Sequence, residues 1–525
     1  MFVSWSVLLI ATVPAFAQNG AVAGSVVDAT TKLPVSGVAV KLYRGDESVQ
    51  SGASSELGQF RFAGLADGVY RIVIDHPDYL MLAADHAAAR PFAISAAGLE
   101  VRVAAELVPL GEVAGRVLNP AREPVKGVPV GLRRLWGEQW TQIGITAEDG
   151  LFRFRRLEPV PWILGAIPSM RISLADPAKS PKPVPQPPDE DGHGMIWTTT
   201  FYPDTLDLTD AARIVVHPGA VLDGHTVKLR AVPARRLSGV VLDDEGKPAA
   251  KAGVALIDVA NKGANSAMGV ADAEGRFEFV TREGEWRVFA QWKRGEQTLK
   301  GYVGVRISRS DVMGVEARVS RPFPLRGAVN RDEPRDQDGK RKVTGIYLMP
   351  EGASGDVQES VFHEQDGGFV LKNVYPGRYR VLPVGYVPGY YVASIRYGDQ
   401  EVTTQAIDIV NPPLPLKIVY NNGAGRATGS VDHGEDSWVI LVPRDESLRD
   451  ADQHIRSVKC GPGGRFAIDS LRPGAYYAFA FDRLRKEMLG DVEFVRNLAS
   501  RAVRVEVRHG ESVNLELDRL VWPDY

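Results

Sequence analysis

Short stretches in which apolar and polar residues alternate recur along the whole chain, and they predict β-strands. Two examples are residues 60–62 (Phe-Arg-Phe) and 503–507 (Val-Arg-Val-Glu-Val). Because successive side chains of a strand point to opposite faces, the two phenylalanines share one face and the arginine lies on the other. Such alternation is typical of antiparallel sheets with one buried and one solvated face. Helical patterns are scarce, and residues 483–498 are predicted to contain one short helix.

Three sequence landmarks recur in the same order five times, which predicts a repeated domain. The first is the glycine of an apolar-x-Gly-x-Val segment: Gly24, Gly115, Gly239, Gly327 and Gly429. The second is the phenylalanine of a Gly-x-Phe-x-apolar segment: Phe60, Phe152, Phe277, Phe369 and Phe466. The third is an aromatic residue nine or ten positions later: Tyr70, Trp162, Trp286, Tyr379 and Tyr476. Each repeat therefore has its own pair of large core residues.

Glycines in these landmarks predict turns. The glycine before each phenylalanine closes a polar turn, as Gly150 does after Glu-Asp, and glycine tolerates a left-handed backbone there. A second turn precedes the third landmark, and we expect Gly474 to have a positive φ. On the strand between these turns, Phe466 and Ile468 are predicted to point inward and Arg465 outward.

The repeats resemble the carboxypeptidase regulatory-like domain. In the first repeat, the resemblance rests on four segments: 22–28 (Val-Ala-Gly-Ser-Val-Val-Asp), 33–40 (Leu-Pro-Val-Ser-Gly-Val-Ala-Val), 58–62 (Gly-Gln-Phe-Arg-Phe) and 68–70 (Gly-Val-Tyr). The second, fourth and fifth repeats match nearly as well, whereas the third has Gly-Glu-Trp at 284–286 in place of Pro-Gly-x-Tyr. The resemblance implies a prealbumin-like sandwich, close to Cna B-type surface modules and found in repeat proteins that bacteria export. In carboxypeptidases this module accompanies the catalytic domain without doing chemistry.

We therefore predict an all-β fold, a tandem array of about five prealbumin-like antiparallel β-sandwich domains that fold independently. A signal peptide at 1–17 precedes sandwiches with the following predicted limits: 18–109, 110–232, 233–321, 322–423 and 424–525. The second sandwich is long because it contains a proline-rich insertion near 176–192, which is predicted to be extended and semi-rigid. The third is the divergent one.

The N-terminus has the pattern of a secretory signal peptide. An apolar run from Trp5 to Phe16 ends in Ala-Phe-Ala at 15–17, which predicts cleavage before Gln18. The run is shorter than the ~20 apolar residues that span a bilayer. A bacterial lipid anchor needs a cysteine just after cleavage, and Cys460 is the only cysteine. We expect export to the periplasm, the cell surface or the medium, with no membrane span after cleavage; an uncleaved anchor is the alternative.

Composition excludes several classes of function. The chain has 62 lysine and arginine residues against 65 aspartate and glutamate residues, a net charge of −3. Nucleic-acid binding needs a basic surface, so no nucleic-acid partner is expected. A single cysteine excludes an intramolecular disulfide and a cysteine-rich metal site.

No catalytic set is recognisable in the sequence. None of the nine histidines is followed by glutamate three positions later, as a zinc carboxypeptidase requires, and no Gly-x-Ser-x-Gly segment occurs. Cys460 lies in a turn region and is interpreted as structural. The acidic segments 189–192 and 332–339 offer oxygen ligands suited to Ca²⁺, but they lack EF-hand spacing and are interpreted as solvated turns. We predict no enzyme activity, no metal site and no cofactor.

Four aromatic residues of the second repeat are candidate ligand-binding residues. Trp136 and Trp140 are four positions apart and would share a face if both lay on one strand. Trp197 and Tyr202 follow the proline-rich insertion. Planar rings exposed on a sandwich can stack against sugar rings, and the alternative is ordinary core packing or loop anchoring.

Together these patterns predict a non-catalytic, exported modular protein that binds or spaces at the cell envelope. The expected partner is a polysaccharide or an envelope or surface protein. A purely structural role in a surface assembly is the main alternative, and an enzyme with an unrecognised site is the third.

Overall fold

The structure, a computed structural model, is all-β, as the alternation predicts. It describes residues 20–81, 91–95, 100–137, 139–170, 194–264, 266–330, 345–350, 358–362, 368–384, 389–449 and 454–522. The predicted signal peptide, the proline-rich insertion and the two acidic segments lie outside these residues. The chain divides into two compact units: the first takes the described residues up to Glu112 with Arg155–Pro159 and His217–Ala220, and the second takes the rest.

The first sandwich has two four-stranded sheets around one hydrophobic core. Its strands are β1 (Gly20–Asp28), β2 (Ala39–Arg44), β3 (Glu47–Ala53), β4 (Gln59–Leu65), β5 (Gly68–Asp75), β6 (Tyr79–Met81), β7 (Phe92–Ile94) and β8 (Glu100–Pro109). The sheet orders are β4-β1-β8-β6 and β3-β2-β5-β7. Phe60 and Phe62 are buried in the core and Arg61 is exposed, so the predicted alternation is confirmed.

The second sandwich has ten strands among the described residues. Its strands are β9 (Gly111–Leu118), β10 (Pro129–Arg134), β11 (Gln142–Ile145), β12 (Leu151–Leu157), β13 (Pro161–Ala166), β14 (Met195–Trp197), β15 (Thr200–Phe201), β16 (Arg213–Val215), β17 (Val221–Lys228) and β18 (Ala231–Pro233). One sheet has the order β11-β10-β13-β15, with β16 also paired to β13, and another has the order β12-β9-β17. Strands β14 and β18 form a separate pair.

The third sandwich again has two sheets, ordered β22-β19-β25 and β21-β20-β23-β24. Its strands are β19 (Arg235–Leu242), β20 (Gly253–Asp258), β21 (Ser266–Val270), β22 (Arg276–Thr281), β23 (Gly284–Arg294), β24 (Gln297–Ile307) and β25 (Val312–Arg318). Trp286 is buried in its core, so the tryptophan takes the place that tyrosine has in the first sandwich.

The fourth sandwich has sheets ordered β29-β26-β34-β31-β32 and β28-β27-β30-β33. Its strands are β26 (Phe323–Asn330), β27 (Gly345–Pro350), β28 (Gln358–Phe362), β29 (Gly368–Val374), β30 (Gly377–Val384), β31 (Tyr390–Tyr397), β32 (Gln400–Glu401), β33 (Ile407–Ile409) and β34 (Leu416–Asn422). Phe369 and Tyr379 are buried together in its core.

The fifth sandwich contains the α-helix found among the described residues. Its elements are β35 (Gly425–Asp432), β36 (Trp438–Pro443), β37 (Arg456–Lys459), β38 (Arg465–Leu471), β39 (Gly474–Phe481), α1 (Val492–Leu498), β40 (Val503–Val507) and β41 (Ser512–Leu520). Its strands join into one sheet of order β37-β36-β39-β41-β35-β38, with β40 beside β39. Short 3₁₀ turns occur in the second and fifth sandwiches at Leu208–Asp210, Glu446–Leu448, Pro462–Gly464, Lys486–Gly490 and Ala499–Arg501.

One pairing departs from a purely antiparallel sandwich. In the first, third, fourth and fifth sandwiches, the first strand pairs in parallel with the last strand of the same core, as β1 does with β8. A parallel pair needs a long connection, and the intervening strands supply it. Side-chain alternation is the same in both directions, which is why the sequence did not distinguish them.

The first two landmarks meet across a strand pair. The landmark glycine lies directly opposite the landmark phenylalanine in four sandwiches, as in Gly24–Phe60, Gly239–Phe277, Gly327–Phe369 and Gly429–Phe466. A side chain at Gly24 would place its Cβ 2.3 Å from Cζ of Phe60. The glycine before the phenylalanine has the predicted left-handed backbone, with φ between 68° and 75° at Gly58, Gly150, Gly275 and Gly464.

The third landmark forms a hydrogen-bonded turn at the start of its strand, and we call this turn the corner. In four sandwiches its polar atom donates a hydrogen bond to the carbonyl oxygen four residues earlier: Tyr70 to Ala66 (2.8 Å), Trp286 to Arg282 (3.1 Å), Tyr379 to Tyr375 (3.0 Å) and Tyr476 to Arg472 (2.6 Å). We call the acceptor the corner residue. Gly474 lies within this corner and has the expected positive φ, 157°.

The fifth sandwich has a second hydrophobic cluster on the outer side of β36 and β39. Phe479 and Phe481 pack there against Phe494 of α1 and against Trp522. The helix begins after Asp491, whose side chain accepts hydrogen bonds from the backbone N–H groups of Glu493 and Phe494. The short helix predicted within 483–498 is thus confirmed, and it covers a sheet face that would otherwise be solvated.

Candidate functional site

The structure places Trp136 and Trp140 on different local surfaces of the second sandwich. Strand β10 ends at Arg134, and the chain then turns, with the backbone N–H of Gly137 donating to the carbonyl of Arg134 at 2.9 Å. The two residues therefore do not lie on one strand, the condition under which they would share a face, because the chain turns between them. Both rings are half-buried.

The two tryptophans contact two other sandwiches. Trp136 packs against the second hydrophobic cluster of the fifth sandwich. The indole Nε1 of Trp140 donates to the carbonyl of Ala264 in the third sandwich at 3.1 Å. Its ring is stacked on Phe201, with centroids 6.2 Å apart and planes 21° apart. Both indole rings are therefore engaged in contacts with other parts of the protein.

Trp197 and Tyr202 lie elsewhere on the second sandwich. Trp197 is on β14 opposite Ala231 of β18 and is half-buried. Tyr202 is also half-buried and meets the ring of His225 edge-on, at a centroid distance of 5.3 Å. The strand pairing of Trp197 and the ring contact of Tyr202 lie within the second sandwich.

The second and third sandwiches are joined through a buried asparagine. The side-chain amide of Asn261 donates to the carbonyl of Leu206 at 3.0 Å, and its oxygen accepts from the backbone N–H of Leu208 at 2.8 Å. The buried carboxylate of Asp258 fixes that amide at 3.0 Å and pairs with Arg282 at 2.7 Å. Asn261 and Asp258 are each 1% exposed. The junction is therefore both desolvated and hydrogen-bonded, the condition under which buried polar groups are stable.

A tyrosine and an aspartate join the third and fourth sandwiches. The hydroxyl of Tyr302 donates to one carboxylate oxygen of Asp408 at 2.6 Å, and Arg378 donates to the other at 2.9 Å. Burial and this hydrogen bond raise the pKa of Tyr302. A second contact runs in the other direction, from the hydroxyl of Tyr375 to the carbonyl of Thr298 at 3.2 Å.

An arginine joins the fifth sandwich to the fourth. One guanidinium nitrogen of Arg472 donates to the carbonyls of Val392 and Ala393, at 3.1 Å and 3.0 Å. These carbonyls belong to a β-bulge in β31, where the register shifts between Val392 and Ser394. A bulged residue does not take part in the regular ladder, so its carbonyl is available to a side chain.

The fifth sandwich also contacts the second. Arg213 of β16 pairs with Glu493 at 2.7 Å and with Asp491 at 3.4 Å, both at the start of α1. Trp136 adds the apolar contact described above. The four junctions therefore form a closed cycle: second to third, third to fourth, fourth to fifth and fifth to second.

The sequence carries one signal of these junctions. Strands β10, β13, β20 and β36 are buried on both faces over most of their length. In β13, β20 and β36 the sequence contains a run of apolar residues, such as Trp-Val-Ile-Leu-Val at 438–442, and such runs indicate two covered faces. The runs identify covered strands but not the sandwich that covers them.

Metal-binding groups and the thiol of Cys460 are the sequence features that bear most directly on catalysis. Within the described ranges, no group of three or more His, Cys, Asp or Glu side chains is arranged to hold a metal ion. Cys460 is buried, and burial raises the pKa of its thiol, which disfavours the nucleophilic thiolate. No helix in the described part of the chain combines the length and hydropathy that a membrane crossing requires.

Comparisons with solved structures return proteins of low sequence identity. The Bacillus anthracis TIE protein is 12% identical, with 58% of this chain and 50% of that chain covered and a TM-score of 0.18. The minor pilin of Streptococcus agalactiae is 12% identical, with coverages of 41% and 97% and a TM-score of 0.23. Two B repeat units of the collagen-binding protein of Staphylococcus aureus are 14% identical, with coverages of 77% and 100% and a TM-score of 0.14. The chain thus spans half the length of the Bacillus anthracis protein.

Sequence comparison gives a narrower result. No protein of curated function matches the chain. Residues 21–94 match the carboxypeptidase regulatory-like domain. This range runs from β1 to β7. The first sandwich is therefore similar in sequence to the carboxypeptidase regulatory-like domain, as the landmarks around Gly24, Phe60 and Tyr70 predicted.

Proposed function

We propose that the protein is an exported, non-catalytic structural component of an assembly at the cell envelope. The observation that carries this proposal is the closed cycle of junctions among the second to fifth sandwiches. Two of the four candidate ligand-binding residues, Trp136 and Trp140, serve these junctions. A chain that uses its aromatic surface to fix sandwiches to one another is suited to holding partners at set positions.

The polar chemistry of the junctions supports the same role. Asn261, Tyr302 and Arg472 each make directional hydrogen bonds to a neighbouring sandwich. Hydrogen bonds with defined geometry specify one arrangement, whereas purely apolar contacts allow several. A fixed arrangement of sandwiches serves a spacer or scaffold better than an enzyme that needs a deep pocket. The partner proposed is an envelope or surface protein.

Carbohydrate binding is the second candidate function. The observation that favours it is that Trp197 and Tyr202 are half-buried, so part of each residue is accessible to solvent. A single ring of this kind can stack on a sugar. The proposal for Trp136 and Trp140 as sugar-binding residues is weaker, since both are engaged at junctions.

Binding of the purified mature chain to envelopes of the producing organism tests the proposal. We expect the envelopes to retain the protein. This retention should be abolished when the envelopes are treated with protease and unchanged when their glycans are oxidised with periodate. Retention lost after periodate, and reduced by Trp197→Ala but not by the matched exposed substitution Val221→Ala, would establish the carbohydrate alternative instead. Absence of any retention, or turnover in a hydrolase screen, would overturn the structural role.

A further inference from the structure

The corner residue has a second contact in the fifth sandwich. The carbonyl of Arg472 accepts the hydroxyl of Tyr476, so the backbone of Arg472 is fixed relative to its own core. The side chain of the same residue extends to the fourth sandwich, where it binds the carbonyls of the bulge at Val392 and Ala393. Its guanidinium also lies over the ring of Tyr391, 6.0 Å from the centroid. One residue therefore connects a core to the preceding sandwich.

The corner residue of the fourth sandwich does the same with different chemistry. The carbonyl of Tyr375 accepts the hydroxyl of Tyr379. The hydroxyl of Tyr375 donates to the carbonyl of Thr298 in the third sandwich, and the ammonium group of Lys300 lies 4.9 Å from the centre of the Tyr375 ring. A tyrosine thus occupies the register position of Arg472 and also reaches the sandwich before it.

In the third sandwich, the corner residue acts through two intermediate side chains. The carbonyl of Arg282 accepts the indole N–H of Trp286. Its guanidinium pairs with buried Asp258, and Asp258 orients the Asn261 amide that binds the second sandwich. The corner residue of the first sandwich is Ala66, whose methyl group has no polar atom to offer.

We propose that the corner residue is the position that fixes the third, fourth and fifth sandwiches to the sandwich before each of them. The inference is independent of any role at the envelope. Its physical basis is preorganisation. The hydrogen bond from the aromatic landmark restricts the backbone of the corner residue, so the side chain of the corner residue loses less conformational entropy when it binds the neighbouring sandwich. The aromatic landmark then has two roles, since it both fills the core and positions the connecting residue.

Distance measurements between spin labels on neighbouring sandwiches test this proposal in the full mature chain. Lys417→Cys in the fourth sandwich and Arg504→Cys in the fifth provide exposed labelling sites. Native Cys460 is buried and its thiol pKa is raised, which protects it from labelling. Arg472→Ala removes the connecting side chain and keeps the backbone carbonyl that Tyr476 binds. The matched control, Tyr476→Phe, removes the corner bond and keeps the arginine side chain.

We expect Arg472→Ala to broaden the distance distribution between the labels, and Tyr476→Phe to broaden it by a smaller amount, because the arginine contacts with the fourth sandwich remain but lose the hydrogen bond that preorganises them. A second pair of variants, which makes a smaller chemical change, tests the junction of the third and fourth sandwiches. The labels are then placed at Met313→Cys and Lys417→Cys. There Tyr375→Phe removes the hydroxyl that binds Thr298 and should broaden the distribution, whereas Tyr379→Phe should broaden it less. An unchanged width for either corner variant, or equal broadening by its control, would overturn the shared role.

Discussion

Gly239 lies directly opposite Phe277 on the neighbouring strand, and the ring of Phe277 occupies the space that a side chain at position 239 would need. A Cβ there would stand 2.7 Å from Cζ of Phe277 and 2.1 Å from the carbonyl oxygen of Val315 on the parallel partner strand. The first and second landmarks of the repeat are therefore one packing unit, and neither residue can change without the other.

Gly239→Ala should destabilise the chain by about 1–3 kcal/mol, because the added methyl group overpacks a site bounded by a ring and a backbone carbonyl. The matched control is Gly304→Ala in β24 of the same sandwich, where a Cβ meets nothing within 4 Å. Urea unfolding of the full chain measures both. A loss for Gly304→Ala as large as that for Gly239→Ala would contradict the packing explanation.

Phe466→Ala should cost ~3–5 kcal/mol, because Phe466 is 6% exposed and fills the core of the fifth sandwich. Its neighbour Arg465 is exposed on the opposite face, so Arg465→Ala should change the free energy of unfolding by less than ~0.5 kcal/mol. Chemical denaturation distinguishes the two variants. Comparable losses would mean that the strand register is wrong.

Residues 424–525 expressed alone should fold cooperatively. The core that contains Phe466 and Tyr476 is built from residues of this sandwich alone, although the second cluster loses its contact with Trp136. We expect a β-type far-UV spectrum and a single thermal transition, at a lower temperature than that of the same sandwich in the full chain. An unfolded spectrum would show that the fifth sandwich depends on its neighbours.

The buried corner tyrosines make stability depend on alkaline pH. Burial raises the pKa of both Tyr379 and Tyr476 to about 12, above the ordinary value of 10.0. The folded state therefore favours the neutral hydroxyl, and this contribution is complete below pH 10 and is lost as the pH rises from 10 through 12.

Tyr379→Phe with Tyr476→Phe should lower stability near neutral pH, by about 0.5–1.5 kcal/mol for each lost hydrogen bond. Between pH 10 and 12 the same double variant should lose less further stability than the parent chain. Urea unfolding at pH 8, 10 and 11 gives the comparison. Parallel pH profiles for the two proteins would refute the assignment.

Asn261 provides a test of the junction between the second and third sandwiches. Asn261→Asp keeps the shape of the side chain but places a carboxylate beside buried Asp258, with which the amide now shares a 3.0 Å hydrogen bond. Two adjacent buried carboxylates favour protonation of one of them, so the variant should be much less stable than the parent at pH 7 and should recover part of the difference at pH 5. Asn421→Asp, at an exposed position, is the control and should be neutral at both values.

Local features of the fold could be predicted from the sequence because they depend on nearby residues. The alternation of Phe60, Arg61 and Phe62 fixes which side chains face the core, and the positive φ of Gly150 follows from its turn. Both are consequences of backbone geometry over a few positions.

The junctions could not be predicted in the same way, because they depend on residues far apart in the sequence. Alternation does not reveal that Trp140 meets Ala264, or that Trp136 packs against a cluster built around α1. It also leaves open whether a strand is covered by its own sandwich or by another. The sequence therefore identifies Trp136 and Trp140 as candidate residues but does not reveal their surroundings.

The closed cycle of junctions changes how the second to fifth sandwiches respond when one contact opens. In a linear chain, a broken contact leaves a sandwich held by its linker alone. In a cycle, the sandwiches on either side of the opened contact stay connected through the other three junctions, so the separated surfaces remain at high effective concentration and rebind as an intramolecular event. Junctions that are individually as modest as the pairing of Arg213 with Glu493 can thereby sustain a long-lived arrangement.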